Sequence, residues 1–166
     1  MNIIIPFFEK QLKEEADTTR KMLKIIPEDK YDWQPHPKSM SIRRLAAHIA
    51  ELPGWIPMAI DTDVLDFAAN DYKATPIANN AELLEVFEKN QKKAEEVLPN
   101  TTDEYLQNLW TMKNGDQIFL SMTKQDVVRM AISQTIHHRA QLGVFLRLLD
   151  IPIPGSYGPS ADEVNF

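Results

Sequence analysis

The sequence predicts an all-α fold, a four-helix bundle with a short β-hairpin near residues 110–120. Three observations carry that expectation. Four long segments repeat apolar residues at steps of three and four, the period of an amphipathic helix. Alternating apolar and polar runs are too scarce for an α/β sheet. The 166 residues, 43% hydrophobic and 25% charged, suit one domain over 1–166 built on one core.

The first helix is expected from Ile4 to Ile26. There Ile5, Phe8, Leu12, Ala16, Thr19, Leu23 and Ile26 share a face while charges fill the other. Pro27 stops it, because proline cannot continue a helical hydrogen-bond ladder. The second begins in "SMSIRRLAAHIAELPGWI", with Ser41 as N-cap. Leu45, His48, Leu52 and Trp55 form its stripe, and Arg43 and Arg44 lie outside. Pro53 and Pro57 should kink or break its later part.

A third helix is expected over Ala81 to Val97, with Leu84, Phe87, Gln91, Ala94 and Leu98 as its inner edge. "ELPGW" and "NDYKATPIANN" read as irregular ground before it. The fourth opens on "TKQD", where Thr123 and Asp126 resemble a capping box with Asp in place of Glu or Gln. Its stripe runs through Val127, Ala131, Gln134, His138, Leu142, Phe145 and Leu149. Between the third and fourth helices, Asn114–Gly115 separates two segments of β character and predicts the hairpin.

Composition narrows the function. A net charge of −6, with no basic cluster longer than "KK" or "RR", argues against nucleic acid, which requires clustered Lys and Arg. No apolar run approaches the ~18 residues of a membrane span, and the apolar start lacks the basic leader and cleavage site of a signal peptide. Cysteine is absent, so the chain offers neither a disulfide nor a thiolate of its own. A cytoplasmic protein acting on a small molecule is the expectation. A homodimer is also expected, with apolar contact from Trp55, Met58, Trp110 and Met112.

The histidines sharpen this picture. Helix two's stripe passes through His48 and helix four's through His138. The adjacent His137 is turned about 100° away. Gln134 lies one turn before His138, so its amide can approach the same point. Bundles commonly build metal and ligand sites from facing helices, and several inward polar side chains are costly unless paired. Glu51, three positions after His48, can share its face and orient an imidazole, accept a proton or ligate a metal. An alternative is a solvated flank. His36, between prolines in "WQPHPKSMS", reads as a loop residue. Ser160 and Asp162 do not suggest a hydrolase triad, because no GxSxG turn supports a nucleophile.

Three stretches together resemble the DinB-like superfamily, also called DinB/YfiT-like metalloenzymes. They are "DWQPHPKSMSIRRLAAHIAE" at 32–51, "SQTIHHRAQLGVFLRLLDIPIP" at 133–154 and "YGPSADE" at 157–163. The resemblance implies a four-helix bundle holding a divalent metal, zinc or nickel, on three histidines. His48 would take the first position and His138 the third. Gln134 falls on the second, where the family pattern has His, and Ala140 replaces a usual Gly. An amide oxygen is a harder, weaker donor than imidazole for either metal. The resemblance also implies an enzyme using a low-molecular-weight thiol, an S-transferase. The alternatives are a metal-dependent hydrolase and a non-catalytic stress-related or binding protein with a degenerate pocket.

Overall fold

The computed structural model describes residues 2–69 and 75–164. Five α-helices occur among them: α1 (Ile4–Lys24), α2 (Ile42–Glu51), α3 (Trp55–Asp61), α4 (Asn80–Val97) and α5 (Lys124–Leu148). Three strands, β1 (Val64–Asp66), β2 (Leu109–Asn114) and β3 (Gln117–Thr123), complete the order. Helix α1 packs on α4 and α5, and α2 packs on the same two from the opposite corner. That ring of four is the bundle.

Local chemistry accounts for most helix ends. Ser41 Oγ accepts from the Arg44 N–H, and Asn79 does the same for Glu82. The line of α2 and α3 breaks at a 3₁₀ turn over Leu52–Gly54, where Pro53 removes a donor. Pro57 is tolerated because it falls in the first turn of α3, whose N–H groups lack intrahelical partners anyway. Thr123 caps α5, its Oγ1 accepting from the Asp126 N–H at 3.1 Å and donating to the Asp126 carboxylate at 2.9 Å. Thr123→Ala should lower stability by about 1 kcal/mol in urea denaturation, with Thr123→Ser close to wild type.

Helix α1 has no capping side chain of its own. Asp103 serves from far along the chain, accepting from the N–H groups of Ile3, Ile4 and Ile5 at 2.6, 3.0 and 3.1 Å. Those bonds, the Ile3 one foremost, hold its carboxyl below the usual carboxylate range. The stabilisation is therefore present above the ordinary Asp value of about 3.9 and is lost as pH falls through the lower folded-state value. Asp103→Asn should lower Tm at neutral pH and converge on wild type in acid, which flattens the acid limb of a Tm-against-pH curve.

The sheet corrects the all-α expectation. The hairpin is present, with Gly115 at φ 59 in the turn after Asn114. A third strand joins it, β1 pairing in parallel with β2 through Val64 and Thr111, Leu65 and Met112, and Asp66 and Lys113. Three residues are too few to show a period of two, so β1 carries no readable local pattern. Its stability comes from the partner, with Asp66 accepting from the Gly115 N–H at 2.9 Å.

Three apolar clusters fill the interior. The largest lies between α1, α2, α4 and α5 around Leu23, Leu45, Phe87 and Leu142. The smallest joins the sheet to the bundle through Ala59, Trp110 and Val127, with Trp55, Met58 and Met112 packed against it. Of the four residues expected to offer a dimer surface, Trp110 is completely buried, and Trp55, Met58 and Met112 are partly buried against this cluster.

The seam of α5 also differs from expectation. Its fully packed line runs through Val128, Ile132, Thr135, Arg139, Leu142 and Leu146. Gln134 and His138 are half-buried on its flank. Helix α5 packs on α1 to one side and α2 to the other. Its inner face is thus broad, and its centre falls one residue beyond the stripe read from the sequence.

Candidate functional site

Helices α2 and α5 are in direct contact, which brings His48 and His138 together. Their ring centroids are 4.7 Å apart with planes at 74°, an edge-to-face pair. The two rings form part of the wall of a cavity of about 490 Å³. Ser41, Arg44, Glu51 and Thr75 line it as well.

Each imidazole is conditioned by its neighbours. His138 Nδ1 lies 2.8 Å from Gln141 Oε1, one turn on in the same helix. An amide oxygen only accepts, so with Oε1 facing the ring Nδ1 is the donor of this contact. Burial, and next the adjacent His138, push the His48 imidazole below its ordinary value. Glu51 pulls the other way to a smaller extent, and Arg44 adds to the lowering. His48 is therefore held in the neutral form that a metal or a proton can use.

Glu51 stands in this cavity as expected, and its position is fixed. Oε1 accepts from Thr75 N at 3.0 Å and Thr75 Oγ1 at 2.6 Å. Gln134 lies one turn before His138 but is not among the residues lining the cavity. His137 is exposed, its ring 4.9 Å from that of His138, which places it beside the site. His36 is an exposed loop residue whose Nδ1 accepts from the Lys38 N–H. Ser160 donates to the Ile153 carbonyl at 2.6 Å and accepts from the Asp162 and Glu163 N–H groups. It holds a turn.

Sequence reading missed the polar cluster behind the pair. Arg139 is 3% exposed and meets the Glu15 carboxylate at 2.7 Å. Its Nη1 donates to Glu15 O and Thr19 Oγ1, and its Nη2 to Ser156 Oγ. The Tyr157 hydroxyl donates to Glu15 Oε1. The carboxylate's other oxygen, Oε2, is buried without a well-aligned hydrogen bond, so Arg139 satisfies it as an ion pair. This cluster ties the "YGPSADE" segment to α1 and α5. The available signal was the step Val128, Ile132, Thr135, Arg139, Leu142, as regular as the stripe chosen but passing through a charge.

The donor set tests the implied metal. Among the described residues, no group of three or more His, Cys, Asp and Glu side chains is placed to hold an ion. A closed three-ligand centre does not fit. Two imidazoles, one hydrogen-bonded at Nδ1 to a neighbouring amide, fit an ion that draws its remaining positions from outside this group.

A helical bundle with an imidazole pair from its second and last bundle helices, beside a small-molecule-sized cavity, defines the class of protein. The chain belongs to the DinB family, whose model matches residues 7–165. It is 24% identical over 160 residues to the uncharacterized protein YrdA of Bacillus subtilis, covering 94% of this chain and 89% of that one. Among solved structures it is similar to a DinB-family member from Exiguobacterium sibiricum, at TM-score 0.70 and 19% identity over 93% and 97% of the two chains. It is also similar to YfiT from Bacillus subtilis, described as "a probable metal-dependent hydrolase with an unusual four-helix bundle topology", at TM-score 0.66, 12% identity and 89% of each chain. The mycothiol-dependent maleylpyruvate isomerase matches at TM-score 0.60 and 10% identity, over 86% of this chain and 64% of its own. These likenesses establish the fold. Among the described residues no helix is long and apolar enough to cross a membrane.

Proposed function

We propose that this protein is a divalent-metal-dependent enzyme acting on a small molecule, with a low-molecular-weight thiol as cosubstrate in an S-transfer reaction. The observation that carries this reading is the His48–His138 pair, 4.7 Å apart on a cavity of about 490 Å³. A volume of that order suits a small-molecule ligand. The fold shared with a mycothiol-dependent isomerase supports the thiol, and the lack of cysteine leaves sulfur to come from the cosubstrate.

His48 and His138 would hold zinc or nickel, with Gln134 as a weaker third donor. A divalent ion there would supply Lewis acidity, lowering the pKa of a bound thiol or water. Gln141, hydrogen-bonded to His138 Nδ1, would leave Nε2 as the ligand atom. Burial keeps His48 unprotonated. Glu51, held by Thr75, is placed to take a proton from a thiol or a water entering the cavity. With water in place of thiol the same residues would serve hydrolysis. Among the described residues no third His, Cys, Asp or Glu donor joins the pair, which favours a second reading, a binding protein with a degenerate pocket.

Metal content after mild purification, followed by zinc and nickel titration calorimetry, separates these readings. The enzyme reading expects near-stoichiometric metal that is lost in His48→Ala. Gln141→Leu should weaken zinc binding about 10- to 100-fold, the usual effect of removing a group that orients a ligand. Wild-type protein with no measurable affinity for either metal would favour the degenerate pocket.

A further inference from the structure

We infer that Arg44 anchors an oxyanion, a carboxylate or a phosphate, so that the substrate of the His48–His138 cavity is a small acid. The inference rests on the reading of that cavity as the substrate site. Five ionisable side chains face the cavity: Arg43, Arg44, His48, Glu51 and His138.

Their commitments differ. Arg43 is fully engaged, donating to both carboxylate oxygens of Asp32 at 3.1 and 3.3 Å and to the Ile77 carbonyl at 2.5 Å. Its guanidinium also stacks over Tyr31, 4.8 Å from the ring centre. Glu51 is held by Thr75. Arg44 is exposed, and among the described residues its side chain has no ion pair or hydrogen bond. Its backbone N–H donates to Ser41 Oγ.

An unpaired guanidinium is unusual here, because the chain carries 24 acidic against 18 basic side chains. Acids were available to neutralise it. Arg20, Arg129, Arg139 and Arg147 each have a carboxylate within ion-pair distance. Arg44 is left with its planar fork of donors at the cavity wall, in the geometry that takes a carboxylate or phosphate oxygen pair. Its charge reaches His48, one helical turn further along α2. A bound acid would thus place one end on Arg44 and the other against the imidazole pair. The cavity volume of about 490 Å³ limits it to a small molecule.

Metal-free protein titrated with succinate, inorganic phosphate and succinamide, read by the His48 and His138 imidazole NMR resonances, tests this. Saturable shifts are expected with succinate or with phosphate, and whichever binds tighter identifies the oxyanion. Succinamide, of similar shape without charge, should produce none. Arg44→Gln should weaken the binding roughly 10- to 100-fold, the worth of a charge-assisted hydrogen bond, and Arg44→Lys should keep part of it. Arg129→Gln, a control on α5 remote from the cavity, should leave it unchanged. Equal binding of succinamide, unaltered binding in Arg44→Gln, or no binding of either anion to wild type would overturn the assignment. Zinc titration of wild type and Arg44→Gln keeps the two readings apart. Failure of zinc to bind counts against the metal alone, and the anion result stands or falls without it.

Discussion

Arg139→Met is expected to destabilise the fold by about 3–5 kcal/mol, because it leaves the Glu15 carboxylate buried without its partner. Glu15 and Arg139 are 6% and 3% exposed, so water cannot replace the lost contact. The long apolar methionine fills most of the arginine's volume, which confines the effect to charge and hydrogen bonding. Thr19, Ser156 and the Glu15 carbonyl each lose a donor at the same time. Urea denaturation measures the loss, and Glu15→Gln combined with Arg139→Met should recover a large share of it. A loss under about 1 kcal/mol would mean that the pair is solvated in solution. The same variant should expose the segment after Pro154 to proteolysis, since Arg139 and Glu15 are its inner anchors.

His138→Ala and His48→Ala should each weaken zinc or nickel binding by more than the roughly 100-fold upper range for outer positioning groups. Each removes one of two imidazoles, and no third His, Cys, Asp or Glu stands with them among the described residues. Gln134→His moves in the opposite direction. An added imidazole one turn before His138 is a better donor than an amide for either metal, so affinity should rise well beyond wild type. Calorimetry on the three variants, with circular dichroism to confirm folding, reads both effects. Unchanged affinity in Gln134→His would show that position 134 does not reach the ion. Unchanged affinity in His138→Ala would remove the pair from the metal reading altogether.

The amino-acid sequence by itself determined the four bundle helices, their caps at Ser41 and Thr123, the break at Pro53 and the hairpin at Asn114–Gly115. These depend on periodicity, capping and backbone restriction within a few residues, so neighbours in the chain suffice to specify them. It also placed His48 and His138 on inward-leaning faces, since the direction of a side chain on a helix follows from its position. Tertiary structure alone decided what those faces meet. The edge-to-face contact of the two rings depends on α2 and α5 packing together, and Glu51 gains its fixed position only when Thr75 folds over it. β1 exists because β2 lies beside it, and Asp103 caps α1 from the other end of a long excursion. The seam of α5 follows the same rule. Arg139 lies in that seam only because Glu15 and Thr19 of α1 and Ser156 of the tail satisfy it, since a charge can be buried only where distant segments supply its partners.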